Sequence, residues 1–287
     1  MRVFITGHKG QLGRALLTRL PGATGADLPE VDITTPESID AAIAAARPEV
    51  IIHCAAMTDV DGAARDPALA YRVNGLGTQN VALAAARAGA VLAYVSTNEV
   101  FDGAKRAAYF EFDAGNPINP YGQSKLAGEW FTTHLTSQFY LIRTSWLSAP
   151  GGRNFAHRIQ QLADERSHLR VVTDEIANPT FVDDLADAIA KLIGTGRFGI
   201  YHLTNAGYCS RHDYAKKILE LSGRGHVPVE PIRLADYPRP STPPPFAPLA
   251  NTAAAALGIT LRPWEAALEE FLRNTRESGD RRKERNL

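Results

Sequence analysis

Tyr121-Gly122-Gln123-Ser124-Lys125 places a phenolic hydroxyl and an ammonium group four residues apart. At helical spacing the two side chains share one face. A free tyrosine titrates at about 10, so it is a reluctant acid–base group near neutrality. A cation within roughly 4–6 Å stabilises the phenolate and lowers that value. A shift of about two units corresponds to about 2.7 kcal/mol and brings the phenol close to working pH. Such a pair suits proton donation to a forming alkoxide. Thr97, directly after the apolar run Val91 to Ser96, can offer a hydroxyl to the same oxygen. The plainer alternative is a surface helix carrying an outstretched lysine.

A second constellation is Gly7-His8-Lys9-Gly10-Gln11-Leu12-Gly13, lying between an apolar run and a helical pattern. A strand-to-helix turn must reverse tightly and let a pyrophosphate approach the helix N-terminus. Glycine permits both, because it tolerates positive φ and carries no Cβ. Asp27 follows Gly7 by twenty residues, after the short run Ala23 to Ala26. A carboxylate there can accept hydrogen bonds from an adenosine ribose and would repel a 2′-phosphate. The reading is a dinucleotide site, NADH or NADPH with NAD slightly favoured. Asp32 and Ile33 are further candidates to touch the adenine, and a loop aspartate capping a turn is the alternative for Asp27.

These groups need a scaffold, and the chain offers one. Arg2 to Thr6, Ala23 to Ala26, Val50 to His53, Val91 to Ser96 and Phe139 to Thr144 read as strands. Helical patterns at Gln11 to Leu20, Pro36 to Ala46, Asn74 to Ala88 and Lys125 to His134 alternate with them. That alternation implies βαβ units and a parallel sheet covered on both faces. Tyr121 then opens the helix after the fourth strand, where sheet C-terminal ends face a bound cofactor. After about residue 145 the rhythm breaks. Asp183 to Ile193 and Arg211 to Leu221 read as helices, Gly199 to Leu203 as a strand, and Trp264 to Leu272 as a last helix. Seven prolines between Pro231 and Pro248 predict an extended segment without regular structure. The charged end from Asn274 to Leu287 predicts fraying.

The expected fold is α/β: a Rossmann-type doubly wound parallel sheet with a smaller C-terminal α/β substrate lobe. Residues 1–145 form the dinucleotide-binding domain, with the chain returning to it in parts of 146–225. Residues 146–272 are mainly the substrate lobe, and 273–287 are a charged tail. Thirty-one basic residues balance thirty-one acidic ones in 287 residues, so no net field recruits nucleic acid or a membrane surface. No apolar stretch reaches the roughly 20 residues of a membrane span. Cys54 and Cys209 have no CxxC spacing, which predicts a reducing cytoplasm and neither a disulfide framework nor a zinc site. No histidine pattern supports a metal.

The sequence resembles the extended short-chain dehydrogenase/reductases, and within them the dTDP-4-dehydrorhamnose reductase family, over residues 1 to about 272. The motifs are the glycine turn, Ala55-Ala56-Met57-Thr58-Asp59-Val60-Asp61, Val73-Asn74 with Gly77-Thr78, and Ser96-Thr97-Asn98-Glu99-Val100-Phe101-Asp102-Gly103. Tyr121 to Glu129, Arg143-Thr144-Ser145-Trp146, Asn154-Phe155, Asn178-Pro179-Thr180, Tyr201-His202-Leu203, Tyr237-Pro238 and Trp264 continue them in order. The resemblance implies reduction of the 4-keto group of a dTDP-linked 6-deoxyhexose, with a dTDP-sugar as the partner molecule and a monomer or homodimer as the assembly. Tyr121 would donate the proton, Lys125 would lower its pKa and hold the nicotinamide ribose, and Thr97 would bind the substrate oxygen. Gly7, Gly10, Gln11, Leu12, Gly13, Ala55, Ala56 and Thr58 would line the cofactor. Asn98, Glu99, Trp146, Asn154, Pro179 and Thr180 would face the sugar nucleotide, although Trp146 also reads as core packing and Asn154 as a helix cap.

Three sites, four residues in all, depart from the family. Asn98-Glu99 stands where relatives usually carry Asp-Tyr. Related dehydratases carry Thr-Asp-Glu, and the Asn98 amide cannot donate a carboxyl proton, which disfavours elimination. Pro243 stands where an arginine usually precedes a proline, and Ala15 where some members have a glutamate tied to metal-bridged dimers. A reductase or epimerase of another nucleotide sugar remains an alternative. So does a non-enzymatic cofactor-binding subunit similar to the methionine adenosyltransferase β subunit, against which intact Thr97, Tyr121 and Lys125 argue.

Overall fold

The computed structural model describes residues 1–151 and 154–284. Its first half runs β1 (Val3–Thr6), α1 (Gln11–Arg19), β2 (Thr24–Ala26), α2 (Pro36–Ala46), β3 (Val50–His53), α3 (Val60–Arg65) and α4 (Pro67–Ala70). A π-helical turn, Tyr71–Leu76, leads into α5 (Gly77–Ala88), then β4 (Val91–Thr97), α6 (Pro120–Leu135) and β5 (Phe139–Thr144). The second half runs β6 (Leu147–Ser148), α7 (Phe155–Glu165), β7 (Leu169–Val172), β8 (Ile176–Ala177), β9 (Thr180–Phe181), α8 (Val182–Leu192) and β10 (Gly199–His202). It closes with β11 (Cys209–Ser210), α9 (Arg211–Leu221), β12 (Val229–Ile232), α10 (Thr252–Ala255) and α11 (Trp264–Glu284).

Six strands form one sheet in the order β10-β5-β4-β3-β1-β2, every pair parallel. Parallel strands buried on both faces need continuous apolar runs, and Val50, Ile51 and Ile52 are each at most 4% exposed. α1 and α8 cover one face with a core that includes Leu12, Leu16, Leu185 and Ile189. On the other face α2 and α5 pack Ile39, Ile43, Val81 and Ala85. The order reverses between β1 and β3, the switch point where ligands bind beyond the strands' carboxyl ends. This is the Rossmann-type doubly wound sheet. A separate core, including Ile159, Tyr214, Ile218, Trp264 and Leu268, joins α7, α9 and α11.

Local chemistry ends the elements where they end. Gly89 closes α5 in the left-handed region at φ 63°. Asn119 caps α6, its side chain accepting from the Gly122 amide, and Pro120 follows at the first helical position. Ser210 caps α9 through the Asp213 amide. Pro231 lies within β12, not in irregular chain. β12 pairs with β7 alone, and such an edge tolerates a missing donor. The last helix runs to Glu284 instead of ending near Leu272, since its Glu- and Arg-rich sequence favours helix. The end of the expected charged tail, residues 285–287, lies outside the described residues. Among the described residues no helix is long and apolar enough to cross a membrane.

Two histidines are locked inside this scaffold. His53 Nδ1 lies 2.6 Å from Thr6 Oγ1, and Nε2 lies 3.1 Å from Thr78 Oγ1. Burial, helped by the Lys125 charge, pulls its pKa down to about 3. Burial, helped by Arg143, does the same to His202. An unfolded histidine takes up a proton near pH 6.5, whereas these two resist until about 3. Their contribution to stability is therefore lost progressively as pH falls through that window. Urea midpoints should fall between about pH 7 and about pH 5; an unchanged midpoint contradicts this reading.

Candidate functional site

The glycine turn packs against the end of β3. Gly7 adopts φ +71°, and a β carbon there would come within 2.6 Å of the Ala55 nitrogen. At Gly13 a β carbon would strike the Gly7 carbonyl oxygen. Both positions require glycine for close approach, leaving backbone open at the N-terminus of α1, where Gly10 is the N-cap. This bare backbone at a helix start fits a pyrophosphate. Gln11 is exposed and Leu12 buried in the core beneath. Ala55 and Ala56 are half-buried along the next loop and Thr58 is exposed. Asn74 holds that loop, accepting from Met57 N at 2.8 Å and donating to Met57 O at 3.0 Å.

Asp27 sits at the end of β2, beside the turn. Its carboxylate accepts from Lys9 N at 3.1 Å and from Leu28 N at 2.9 Å. Lys9 itself reaches Glu30 at 2.6 Å, a cation that sequence spacing did not single out. Asp32 caps its own turn, accepting from Thr34 N and Thr34 Oγ1, each at 2.8 Å. Ile33 is 7% exposed and packs in the core against Gly77. The side chain of Ile33 therefore serves packing, because α5 closes over it.

Thr97 ends β4 and faces Tyr121, the second residue of α6. Lys125 follows one turn later and is 3% exposed. Its ammonium donates to the Val95 carbonyl at 2.7 Å and lies 4.3 Å from the Tyr94 ring centroid. Burial pulls the Lys125 pKa down to about 7, against the opposing charge of Glu129. The expected lowering of the Tyr121 pKa is not what this geometry gives. Burial first, and then the Glu99 charge, push the phenol well above its ordinary value, with Thr97 acting the other way. Tyr121 is thus held in its proton-bearing form by burial and the Glu99 charge, while the Lys125 ammonium is turned to a carbonyl and a ring.

Behind the pair lies a buried network absent from the sequence reading. Arg143 grips Glu129 in a bidentate pair, Nε to Oε1 at 2.9 Å and Nη2 to Oε2 at 2.7 Å, each side chain 5% exposed. Ser96 donates to the same Oε1 at 2.6 Å. The network ties α6 to β4 and β5 and so fixes the helix that carries Tyr121 and Lys125.

A cleft of about 1080 Å³ is lined by Trp146, Asn154, Glu175, Arg211 and Arg239 among others, of which Glu175, Arg211 and Arg239 act on the charge of Glu99. Trp146 adopts φ 42°, a costly conformation for a bulky residue that clusters at functional sites. The Arg211 guanidinium lies 3.5 Å from its ring centroid. Arg211 also bonds Glu175 at 2.9 Å, and Arg239 bonds Asp61 at 3.0 Å. Neither arginine carried a local signal; only the folding of α9 and the proline-rich segment onto the cleft brings them here. Asn154 caps α7, accepting from His157 N at 3.1 Å, and still borders the cleft. Pro179 and Thr180 are buried, and Thr180 N donates to the Trp146 carbonyl at 3.3 Å. Thr180 braces the Trp146 backbone from β9, which pairs with β6.

Asn98 is buried and donates to the Ala247 carbonyl at 3.3 Å, so its amide is committed to the proline-rich segment. Glu99 points the other way and accepts from Asn119 Nδ2 at 2.7 Å. Pro243 is buried within the same segment and brings no charge. Ala15 is 8% exposed within the core under α8.

Comparison with known proteins adds three findings. The model of the RmlD substrate binding domain matches residues 1–277. A dTDP-4-dehydrorhamnose reductase of Mycobacterium tuberculosis is 37% identical over 283 residues, covering 94% of this chain and 92% of the relative. The spore coat polysaccharide biosynthesis protein SpsK of Bacillus subtilis is 34% identical over 275 residues, covering 94% and 96%. The crystal structure of dTDP-4-dehydrorhamnose reductase from Bacillus anthracis in complex with NADP superposes with a TM-score of 0.92. It is 39% identical and covers 96% of this chain and 99% of that one.

Proposed function

This chain belongs to the RmlD substrate binding domain family, and from that premise we infer how its residues divide the work of the reaction. The protein is an NAD(P)H-dependent reductase that converts the 4-keto group of dTDP-4-dehydrorhamnose to the alcohol of dTDP-L-rhamnose. When bound, NAD(P)H supplies the hydride. Tyr121 gives its hydroxyl proton to the oxygen at sugar C4, and Thr97 holds that oxygen in line. Lys125 binds the nicotinamide ribose. Gly7, Gly10 and Gly13 cradle the pyrophosphate, Asp27 takes the adenosine ribose, and Ala55, Ala56 and Thr58 wall the cofactor. Trp146, Asn154, Arg211 and Arg239 receive the sugar nucleotide, the two arginines being suited to its diphosphate. On this reading residues 1–145, with β10 and α8, form the cofactor domain, and most of 146–272 forms the substrate lobe.

The observation that carries the reading is the proton-bearing Tyr121, beside Thr97 and one turn from a buried Lys125, with Glu99 acting on the phenol and itself felt by the cleft residues Glu175, Arg211 and Arg239. Its test is an assay with enzymatically generated dTDP-4-keto-6-deoxy sugars, run with NADH and NADPH separately. One nicotinamide should be oxidised per sugar reduced. Conversion of the sugar without net oxidation would mark an epimerase and overturn the reading. No turnover with any such sugar would mark a binding subunit.

Lys9 bears on coenzyme choice. It stands beside Asp27 and offers a cation where a 2′-phosphate would lie. A charge-assisted contact contributes about 1.5–3 kcal/mol, so Lys9→Glu should raise the KM for NADPH relative to NADH by about tenfold or more. Equal effects on the two coenzymes would remove Lys9 from this role.

A further inference from the structure

Glu99 is fastened at three points around Tyr121. Its backbone N–H donates to Thr97 Oγ1 at 3.2 Å. Its carbonyl oxygen lies so close to the first turn of α6 that a β carbon on Gly122 would collide with it. Its Oε2 accepts from Asn119 Nδ2 at 2.7 Å, while Asn119 Oδ1 accepts from Gly122 N at 2.8 Å. The carboxyl is therefore fixed to the helix start that carries Tyr121, and its charge is near enough to raise the proton affinity of the phenol. Among the described residues no donor reaches the second oxygen, Oε1, and the residue is partly exposed. One oxygen is tied down and the other is open.

We propose that Glu99 is the specificity-determining residue of the sugar site, its open oxygen accepting a hydrogen bond from the hydroxyl next to the reacting carbonyl. The inference rests on Tyr121 facing the C4 oxygen. In a 4-keto-6-deoxyhexose the ring neighbours of C4 are C3, which bears a hydroxyl, and C5, which bears a methyl group and the ring oxygen. The hydroxyl in question is the one on C3. In its ionised form the carboxyl accepts and does not donate, and in that form it demands a hydroxyl at that carbon. Glu175 faces the carboxylate with like charge, while Arg211 and Arg239 face it with opposite charge. Burial raises its pKa to about 7. No bond of Glu99 is made or broken in the reaction; it selects and orients.

The test compares the 4-keto-6-deoxy sugar nucleotide with its 3-deoxy counterpart in the full-length enzyme. A site built to bond a hydroxyl rejects the analogue lacking it, and the wild type should lose about 10²-fold in kcat/KM or more on the 3-deoxy sugar. Glu99→Ala should lower kcat/KM for the hydroxylated sugar and shrink that preference to about threefold or less. Tyr121→Phe should slow both sugars by the same factor and leave the preference intact. A wild type that reduces both sugars equally well overturns the proposal without any variant having to fold. A Glu99→Ala enzyme that keeps the full preference overturns it too. A Tyr121→Phe enzyme as fast as wild type would instead overturn the reading on which it rests.

Discussion

Tyr121→Phe should bind NADPH within about threefold of wild type and turn over about 10²–10⁴-fold more slowly, the range of a lost general acid. The substitution removes one oxygen and leaves the ring and the helix start in place. kcat and kcat/KM should fall together, since the lost interaction belongs to the transition state. The environment of the phenol sharpens the expectation. Burial and the Glu99 charge keep it protonated, so at neutral pH nearly every molecule carries the proton the reaction needs. Lys125 lies one turn away and buried, and its ammonium is engaged by the Val95 carbonyl. Steady-state kinetics with a fluorescence titration of NADPH separates loss of turnover from loss of cofactor. Wild-type turnover in this variant would remove Tyr121 from the chemistry.

Arg143→Ala should cost about 3–5 kcal/mol of stability, because it leaves the Glu129 carboxylate buried without its cation. Glu129 is 5% exposed at its side chain and accepts two bonds from Arg143 and one from Ser96. The carboxylate then keeps one hydrogen bond, from the serine, and the unbonded charge of Lys125. The loss should appear as a lower urea midpoint with an unchanged slope. Activity of the remaining folded enzyme should also fall, since the network sets the position of α6. A change below about 1 kcal/mol, the size of an ordinary surface pair, would contradict the account.

Much of the fold was legible because parallel strands and their helices carry strong periodic patterns. α2, β3, β5 and α9 have the boundaries their apolar spacing predicts. The late lobe was harder to read. β6, β8, β9 and β11 are two residues each, too short for any period to appear. The glycine turn, Thr97, Tyr121 and Lys125 were legible because their spacing lies within one or two elements. The electrostatics of the pair were not. The ammonium's partner is a carbonyl from β4, and the charge felt by Tyr121 comes from a turn 22 residues earlier, so neither follows from the i, i+4 spacing. Arg211 and Arg239 were invisible for the same reason: their partners, Glu175 and Asp61, lie 36 and 178 residues away. The contact of Thr180 with the Trp146 backbone was equally unreadable, since it joins strands of two residues each.

The most direct measurement follows the hydride itself. With NADPH carrying deuterium at nicotinamide C4 on the transferred face, the product of dTDP-4-dehydrorhamnose should carry that deuterium at sugar C4, one per molecule. The proton on the new hydroxyl should come from solvent by way of Tyr121. Product that forms with no deuterium at C4 while the labelled nicotinamide remains reduced would contradict a reductase and with it the assignment of every residue around Tyr121.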